Sequence, residues 1–338
     1  MWLKHKIGLW RKAFNHYLIS FQNNVLKNSF VVGLPEYLVV DVTNICNLHC
    51  PLCPTGQERK EYPTGKMEFK TFKKIVDELG IWLYEISIGD WGEPFLNKDI
   101  YRMVEYAHKT NVKISIFTNL NILDEKMAQE IISSGIDYLY VSIDGVSQNS
   151  YEKYRKGGNF DKLIENMNLI LRAKEKYKSA VPKIIWQLLV TKYNETEIDK
   201  ARAMAKELNV DFRLGKIRCD TGRELFMNDE EKFRNVEYWL PVNEEYSRYN
   251  YTTKARKNKK PYCDFLWTTA VINWDGGIAP CCAVYSENDM FGNMTNQKFQ
   301  YIWNNAKYRV ARKIVRSKII DTKIQTVCEN CLKNGFID

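Results

Sequence analysis

Between residues 36 and 217, short runs rich in β-branched and aromatic residues alternate with longer segments whose apolar positions recur at helical spacing. The runs are Tyr37 to Val42, Tyr84 to Gly89, Lys113 to Thr118, Asp137 to Ile143, Lys183 to Val190 and Asp211 to Ile217. The helical segments between them are Phe69 to Leu79, Ile100 to Lys109, Glu125 to Ser134, Phe160 to Lys178 and Glu195 to Glu207. Parallel strands need a crossover, usually a helix, so this rhythm predicts an α/β fold with a six-stranded parallel sheet, open or curled into an incomplete barrel. In such sheets ligands gather at the carboxyl ends of the strands. The residues found there are Cys46, Cys50 and Cys53, then Asp90 to Pro94, Thr118 and Asn119, Ser142 and Asp144, Thr191 and Lys192, and Arg218, Cys219 and Asp220. Polar, chemically capable side chains therefore converge on one rim.

Three segments follow from this pattern: residues 1–34, residues 35–221 with the βα rhythm, and residues 222–338, a connector leading to a second cysteine-rich region. Leu3, Ile7, Trp10, Phe14, Tyr17, Phe21 and Val25 recur at steps of three or four while Lys4, Lys6, Arg11 and Lys12 fall elsewhere, which predicts one amphipathic helix. Its apolar face either closes the open side of the following domain or makes a peripheral membrane contact through residues 1–28. The connector carries Lys254, Arg256, Lys257, Lys259 and Lys260, a solvated loop or a docking patch for an acidic flavodoxin- or ferredoxin-type electron donor. The formal charge of +9 favours anionic partners without demanding nucleic acid, and none is expected. No stretch has the roughly 18 to 20 apolar residues of a membrane span, and no signal peptide is evident, so a cytoplasmic location is expected. There, nine cysteines read as metal ligands or reactive thiols rather than disulfides.

Cys46, Cys50 and Cys53 stand in Cys-Asn-Leu-His-Cys-Pro-Leu-Cys on the loop leaving the first strand. Three thiolates on a four-iron cluster leave one iron open to a substrate or cofactor. A zinc site would need a fourth ligand, with His49 nearest. This C-x3-C-x2-C loop resembles the signature of the radical S-adenosylmethionine (radical SAM) superfamily. The resemblance implies a partial (β/α)6 TIM-like barrel whose open-iron [4Fe–4S] cluster binds S-adenosylmethionine and cleaves it to a 5′-deoxyadenosyl radical. Gly89-Asp90-Trp91-Gly92-Glu93-Pro94 is similar to the family's Gly-Gly-Glu-Pro loop, which assigns Gly92, Glu93 and Pro94 to the cofactor's ammonium. Asn119 matches the family's Thr-Asn-Gly element, although Leu120 replaces the glycine. Ser142 and Asp144 match its fourth-strand element near the ribose and the methionyl carboxylate.

Cys263, Cys281, Cys328 and Cys331, with Asn273 to Cys282, Phe291-Gly292-Asn293 and Ile302-Trp303-Asn304, resemble the auxiliary-cluster domain called SPASM, in its shortened twitch form. That implies one auxiliary [4Fe–4S] cluster with every iron ligated by protein; zinc is the other reading of four cysteines. Cys219 and Cys282 are left over, as small buried hydrophobes or as hydrogen-atom donors, with Cys282 also an alternative ligand to Cys281.

The combined reading is hydrogen-atom abstraction from a small polar substrate, a sugar or aminocyclitol, ending in dehydrogenation or epimerisation. Cys219, Cys282 and Arg218 are the candidate catalytic residues, and Asp220 and Arg213 are further candidates for the base. A maturase of ribosomal peptides is the alternative, disfavoured because about 35 residues before the first strand are too few for a leader-binding domain. A non-catalytic iron–sulfur carrier is the third, and it has no use for the cofactor-binding rim.

Overall fold

The computed structural model describes residues 2–26, 28–218, 237–253, 257, 263–318 and 323–333, with side chains from residue 8 onward. Cys219 and Asp220, and Lys254, Arg256, Lys259 and Lys260, lie outside the described residues. Strands β1 (Tyr37–Val40), β2 (Glu85–Ile88), β3 (Lys113–Thr118), β4 (Tyr138–Ser142), β5 (Lys183–Val190) and β6 (Asp211–Lys216) lie side by side in chain order, all parallel. The crossovers are α2 (Phe69–Leu79), α3 (Ile100–His108), α4 (Glu125–Ser134), the pair α5 (Gln148–Tyr154) and α6 (Phe160–Lys176), and α7 (Ile198–Glu207). All six predicted strands and all five predicted helices are present. The unpredicted α5 is too short to show periodicity; Ser147 caps it and Tyr151 and Tyr154 bury it.

Strand β6 does not pair with β1, so the barrel is incomplete. The free side of β1 instead takes β7 (Thr269–Ile272) in parallel, with Tyr37 opposite Thr269 and Val40 opposite Ile272. Strands β8 (Gly277–Ala279) and β9 (Gly292–Asn293) follow antiparallel, giving one nine-stranded sheet. The turn signal at Asp275-Gly276-Gly277 is the β7–β8 connection, where Gly276 adopts φ +86°. Helices α8 (Phe265–Thr268), α9 (Phe299–Trp303), α10 (Ala306–Ser317) and α11 (Cys328–Lys333) pack on this extension, with Trp267, Trp303 and Tyr308 fully buried.

Helix α1 (Trp2–Phe21), continued by a π turn at Gln22–Leu26, is present as predicted, but it docks by the other face. Lys12, Asn15, Ile19, Gln22 and Asn23 are buried, whereas Trp10, Phe14, Tyr17, Phe21 and Val25 are exposed. The Asn15 side chain donates to Leu34 O (2.7 Å) and accepts from Leu34 N (2.9 Å), and Gln22 Oε1 accepts from Val32 N (2.8 Å). Lys12 Nζ donates to Asn111 O (2.7 Å), and His16 Nδ1 lies 2.8 Å from Glu36 Oε1. These partners precede β1 and β3, so α1 covers the amino-terminal end of the barrel. Hydropathy periodicity locates the two faces of a helix; the hydrogen-bond partners waiting on the barrel decided which face turned inward.

Arg312 of α10 ties these parts together. Its guanidinium donates from Nε to Leu266 O (3.0 Å) and from Nη1 to Ser29 O (3.2 Å) and Asn304 Oδ1 (3.1 Å), against the rings of Trp303 and Tyr308. Burial lowers its pKa to about 9. Replacing it strands several buried acceptors, so Arg312→Ala is expected to destabilise the protein by about 3 kcal/mol or more, and Arg312→Lys, lacking the planar fork, should recover little. Denaturant melts measure the loss. Hydrogen exchange should show Ser29 to Val31 opening with it.

Candidate active site

The chain leaves β1 into the loop holding the first three cysteines. Cys53 N donates to Cys50 O (3.1 Å) and His49 N to Lys156 O (2.9 Å). Gly56 lies so close that a Cβ there would sit 2.5 Å from Cys50 N and 2.6 Å from Cys50 O, so no side chain fits. The return segment rests on the β7–β8 hairpin: Tyr62 donates to Asp275 Oδ1 (2.7 Å), Trp274 Nε1 donates to Pro63 O (3.0 Å), and Asn44 Nδ2 donates to the Tyr285 hydroxyl (3.2 Å).

Donors converge on the sulfurs. Asn119 Nδ2 and Leu48 N approach Cys46 Sγ at 3.7 and 3.4 Å, and Arg155 Nη1 approaches Cys50 Sγ at 3.7 Å. Burial, reinforced by Glu93 and Cys50, pushes the Cys46 thiol up to about 11; burial and Cys50 push Cys53 to about 12. Such thiols ionise only against a strong cation, and N–H donors aimed at sulfur suit thiolates, so the loop fits an iron–sulfur cluster. In the second group, burial raises Cys281 and Cys328 well above the usual range, and Cys331, Cys282 and Cys263 add to it. Its thiols are thus near neighbours. Four thiols of this kind suit a metal centre bound through sulfur. His49, the zinc candidate, sits at the surface with Nδ1 3.7 Å from Glu58 Oε1.

Glu93 is buried and held at three points: Oε1 accepts from Thr118 Oγ1 (2.8 Å) and Phe95 N (3.2 Å), and Oε2 accepts from Asn119 N (2.8 Å). A carboxylate has about four lone-pair sites, so one remains for an ammonium group. Gly92, at φ +86°, passes so close to Thr43 O that only glycine fits. Pro94 opens the turn Pro94–Leu96 and lies behind the cavity wall. Leu120, in the family's glycine position, keeps the left-handed backbone at φ +54° and is fully buried. Ser142 lines the cavity, but Asp144 does not. Both Asp144 oxygens are engaged, Oδ2 by Arg155 Nε and Oδ1 by Leu189 N, each at 2.6 Å. Asp144 is therefore placed to act through Arg155, and Arg155 is the residue the sequence reading missed. It ends α5 with no motif around it; only the fold brings it to Asp144 and Cys50.

These residues border a cavity of about 770 Å³, within the usual range for a cofactor with a small substrate. Cys46, Cys50, Cys53, Gly92, Glu93 and Asn119 line one part, and Asp90, Arg218 and Cys282 another. Arg218 Nη1 donates to Cys282 Sγ at 3.5 Å. Asp41 Oδ1 accepts from Asp90 N (2.9 Å) and Trp91 N (2.8 Å), and burial raises the Asp41 carboxyl well above its usual range, with Asp90 reinforcing it. Burial likewise raises Asp90 to about 7 against the lowering effect of Arg218, and Asp90 Oδ2 has no hydrogen-bond partner among the described residues. Asp90, which interrupts the family's glycine-rich motif, is the second functional candidate not assigned from sequence. Arg213, Lys216, Arg248 and Lys257 make much of the remaining wall cationic.

Gly56→Ala should displace Cys50 and lower iron bound at the first loop while sparing the auxiliary site. Iron counting with electron paramagnetic resonance of the two reduced centres checks this.

Residues 40–205 match the model of the radical SAM superfamily and residues 263–332 that of an iron–sulfur cluster-binding domain, SPASM. A tungsten-containing aldehyde ferredoxin oxidoreductase cofactor-modifying protein of Pyrococcus furiosus is 25% identical, covering 87% of this chain and 89% of its own. The AdoMet-dependent heme synthase of Methanosarcina barkeri is 23% identical, covering 90% and 93%. Streptococcus suis SuiB, solved with S-adenosylmethionine bound, shares the fold at TM-score 0.63 and 16% identity, covering 93% of this chain and 74% of SuiB. Radical SAM family members are enzymes, and the two domains together imply S-adenosylmethionine, a [4Fe–4S] cluster and an auxiliary cluster as cofactors. The chain is a radical SAM superfamily protein with a C-terminal SPASM domain.

Proposed function

We propose that this protein removes a hydrogen atom from a small polar substrate carrying an anionic group, as the first step of a dehydrogenation or an epimerisation. The observation behind this reading is the shared cavity, lined by the three-cysteine loop, by Asp90, Arg218 and Cys282, and by the cations Arg213, Lys216, Arg248 and Lys257. Of the sugar and aminocyclitol substrates read from the sequence, that wall favours a sugar bearing phosphate or carboxylate, because an aminocyclitol would set its ammonium against like charge. The relatives named for heme synthesis and cofactor modification support a small molecule over a peptide.

Cys46, Cys50 and Cys53 would hold the open-iron cluster, and Cys263, Cys281, Cys328 and Cys331 the auxiliary one. Gly92, Glu93, Asn119 and Ser142 would hold S-adenosylmethionine, with Pro94 fixing the Glu93 turn and Asp144 fixing Arg155. When bound, these cofactors supply an electron, a 5′-deoxyadenosyl radical that takes hydrogen from the substrate, and a one-electron store. Asp90 Oδ2 is placed to receive a hydroxyl proton, and its raised pKa suits a base working near neutrality. Arg218 orients both Asp90 and Cys282. In an epimerisation, Cys282 Sγ–H would return a hydrogen atom to the opposite face, and the thiyl radical left on sulfur would be restored to the thiol by one electron from the external donor and one proton. Cys219 stays a second candidate for that role. The electron donor on this reading is of flavodoxin or ferredoxin type.

Anaerobic reconstitution tests the reading, with dithionite, S-adenosylmethionine and a panel of sugar phosphates and sugar acids. The expected result is about eight irons per chain, 5′-deoxyadenosine formation, and loss of that product in Cys50→Ala. Asp90→Asn should keep 5′-deoxyadenosine and lose a ketone product, whereas Cys282→Ala should lose an epimer. No 5′-deoxyadenosine under any reductant would leave the carrier reading; turnover only with a peptide would establish the maturase.

A further inference from the structure

The outward face of α1 has no partner among the described residues. Trp10 is 75% exposed, Phe14 61%, Tyr17 63% and Val25 61%, with Phe21 and Leu9 also largely open. The returning segment beside the helix adds Phe30 and Val32, both exposed. This face is not an accident of loose docking, because the opposite face is fixed by the Asn15, Gln22, Lys12 and His16 contacts and by Arg316 Nη1 donating to Asn23 Oδ1 at 2.7 Å. Rolling the helix to bury its aromatics would strand those polar groups.

Charge identifies what covers it. Residues 1–35 contain no Asp or Glu, and once Lys12, which turns inward onto Asn111 O, is set aside, they keep Lys4, Lys6, Arg11 and Lys27. Aromatics with one polar edge, set in a cationic helix, match the boundary between headgroups and acyl chains of an anionic bilayer. A second copy of the chain fits less well, since pairing this face with itself doubles a basic segment that has no acid of its own to offset the charge. No helix among the described residues is long and apolar enough to cross a membrane, so the contact would lie in the membrane plane.

We propose that residues 8–26 and 28–32 form a docking surface for anionic lipid, which holds the amino-terminal end of the barrel against the headgroups and turns the cavity mouth away from them. The orientation follows because α1 contacts segments preceding β1 and β3, whereas the rim loops bordering the cavity follow the strands. The proposal goes beyond the catalytic reading and stands independently of it.

Vesicle flotation of the full-length protein tests it, comparing pure phosphatidylcholine with vesicles containing roughly one-third phosphatidylglycerol. Binding to the anionic vesicles alone is expected, weakened by high salt and reduced at least tenfold by combining Trp10→Ser, Phe14→Ser and Tyr17→Ser, with iron content unchanged. A photoactivatable lipid should label residues 8–32 of the unmodified protein, a readout independent of how the variant folds. No binding, binding that survives the triple substitution, or labelling confined to other segments would overturn the proposal. So would a concentration-dependent dimer, measured by light scattering, that the triple substitution dissolves, because a second copy then covers the face.

Discussion

Strand β1 is hydrogen-bonded along both edges, to β2 on one side and β7 on the other, and the site depends on that position. Its carboxyl end launches the three-cysteine loop. The residue that follows, Asp41, donates its amide to Ile272 O (2.9 Å) while its carboxylate holds the Asp90 and Trp91 amides. One residue beyond a strand thus fixes the cysteine loop, the Asp90–Glu93 turn and the β7 hairpin relative to one another. Inside a sheet, a central strand is the least mobile place from which to suspend a loop that must present three sulfurs to one centre.

The turn after β2 and the end of β3 are joined by Glu93, whose carboxylate spans Thr118, Asn119 and Phe95. Asn119 then reaches Cys46, so one chain of bonds links the proposed S-adenosylmethionine contacts to a proposed cluster ligand. Leu120 shows that the local backbone is set by this network and not by residue preference. A buried leucine stays left-handed, at a conformational cost of about 1 kcal/mol or more, because its neighbours fix the path on both sides.

The barrel was legible in the sequence because its signals are local: each strand is a run of apolar residues and each crossover a helix with its own periodicity. The cysteine spacing was legible for the same reason. Arg155, Asp41 and β7 were not. Arg155 acquires its role only by meeting Asp144, eleven residues away, and Cys50, 105 residues away. Strand β7 is four apolar residues whose partner lies more than two hundred positions earlier, so nothing nearby distinguishes it from buried loop. Helix α1 was legible as an element, and of its two readings the inward-closing one does not hold. Its two faces were read correctly, but hydropathy assumes that the apolar one turns inward, and Asn15 and Gln22 found backbone partners on the barrel instead. Cys219 and Asp220 fall outside the described residues.

The unbroken run of β-ladders from β6 to β9 bears on how the two cysteine groups communicate. Domains joined by a linker can rock about a hinge, and an electron passing between them then crosses a gap whose width fluctuates. Here the β7–β8 hairpin that precedes Cys281 is laced to β1, and β1 leads to Cys46. Interstrand pairing therefore sets the relation between the loop at Cys46 and the hairpin before Cys281, in place of a flexible linker.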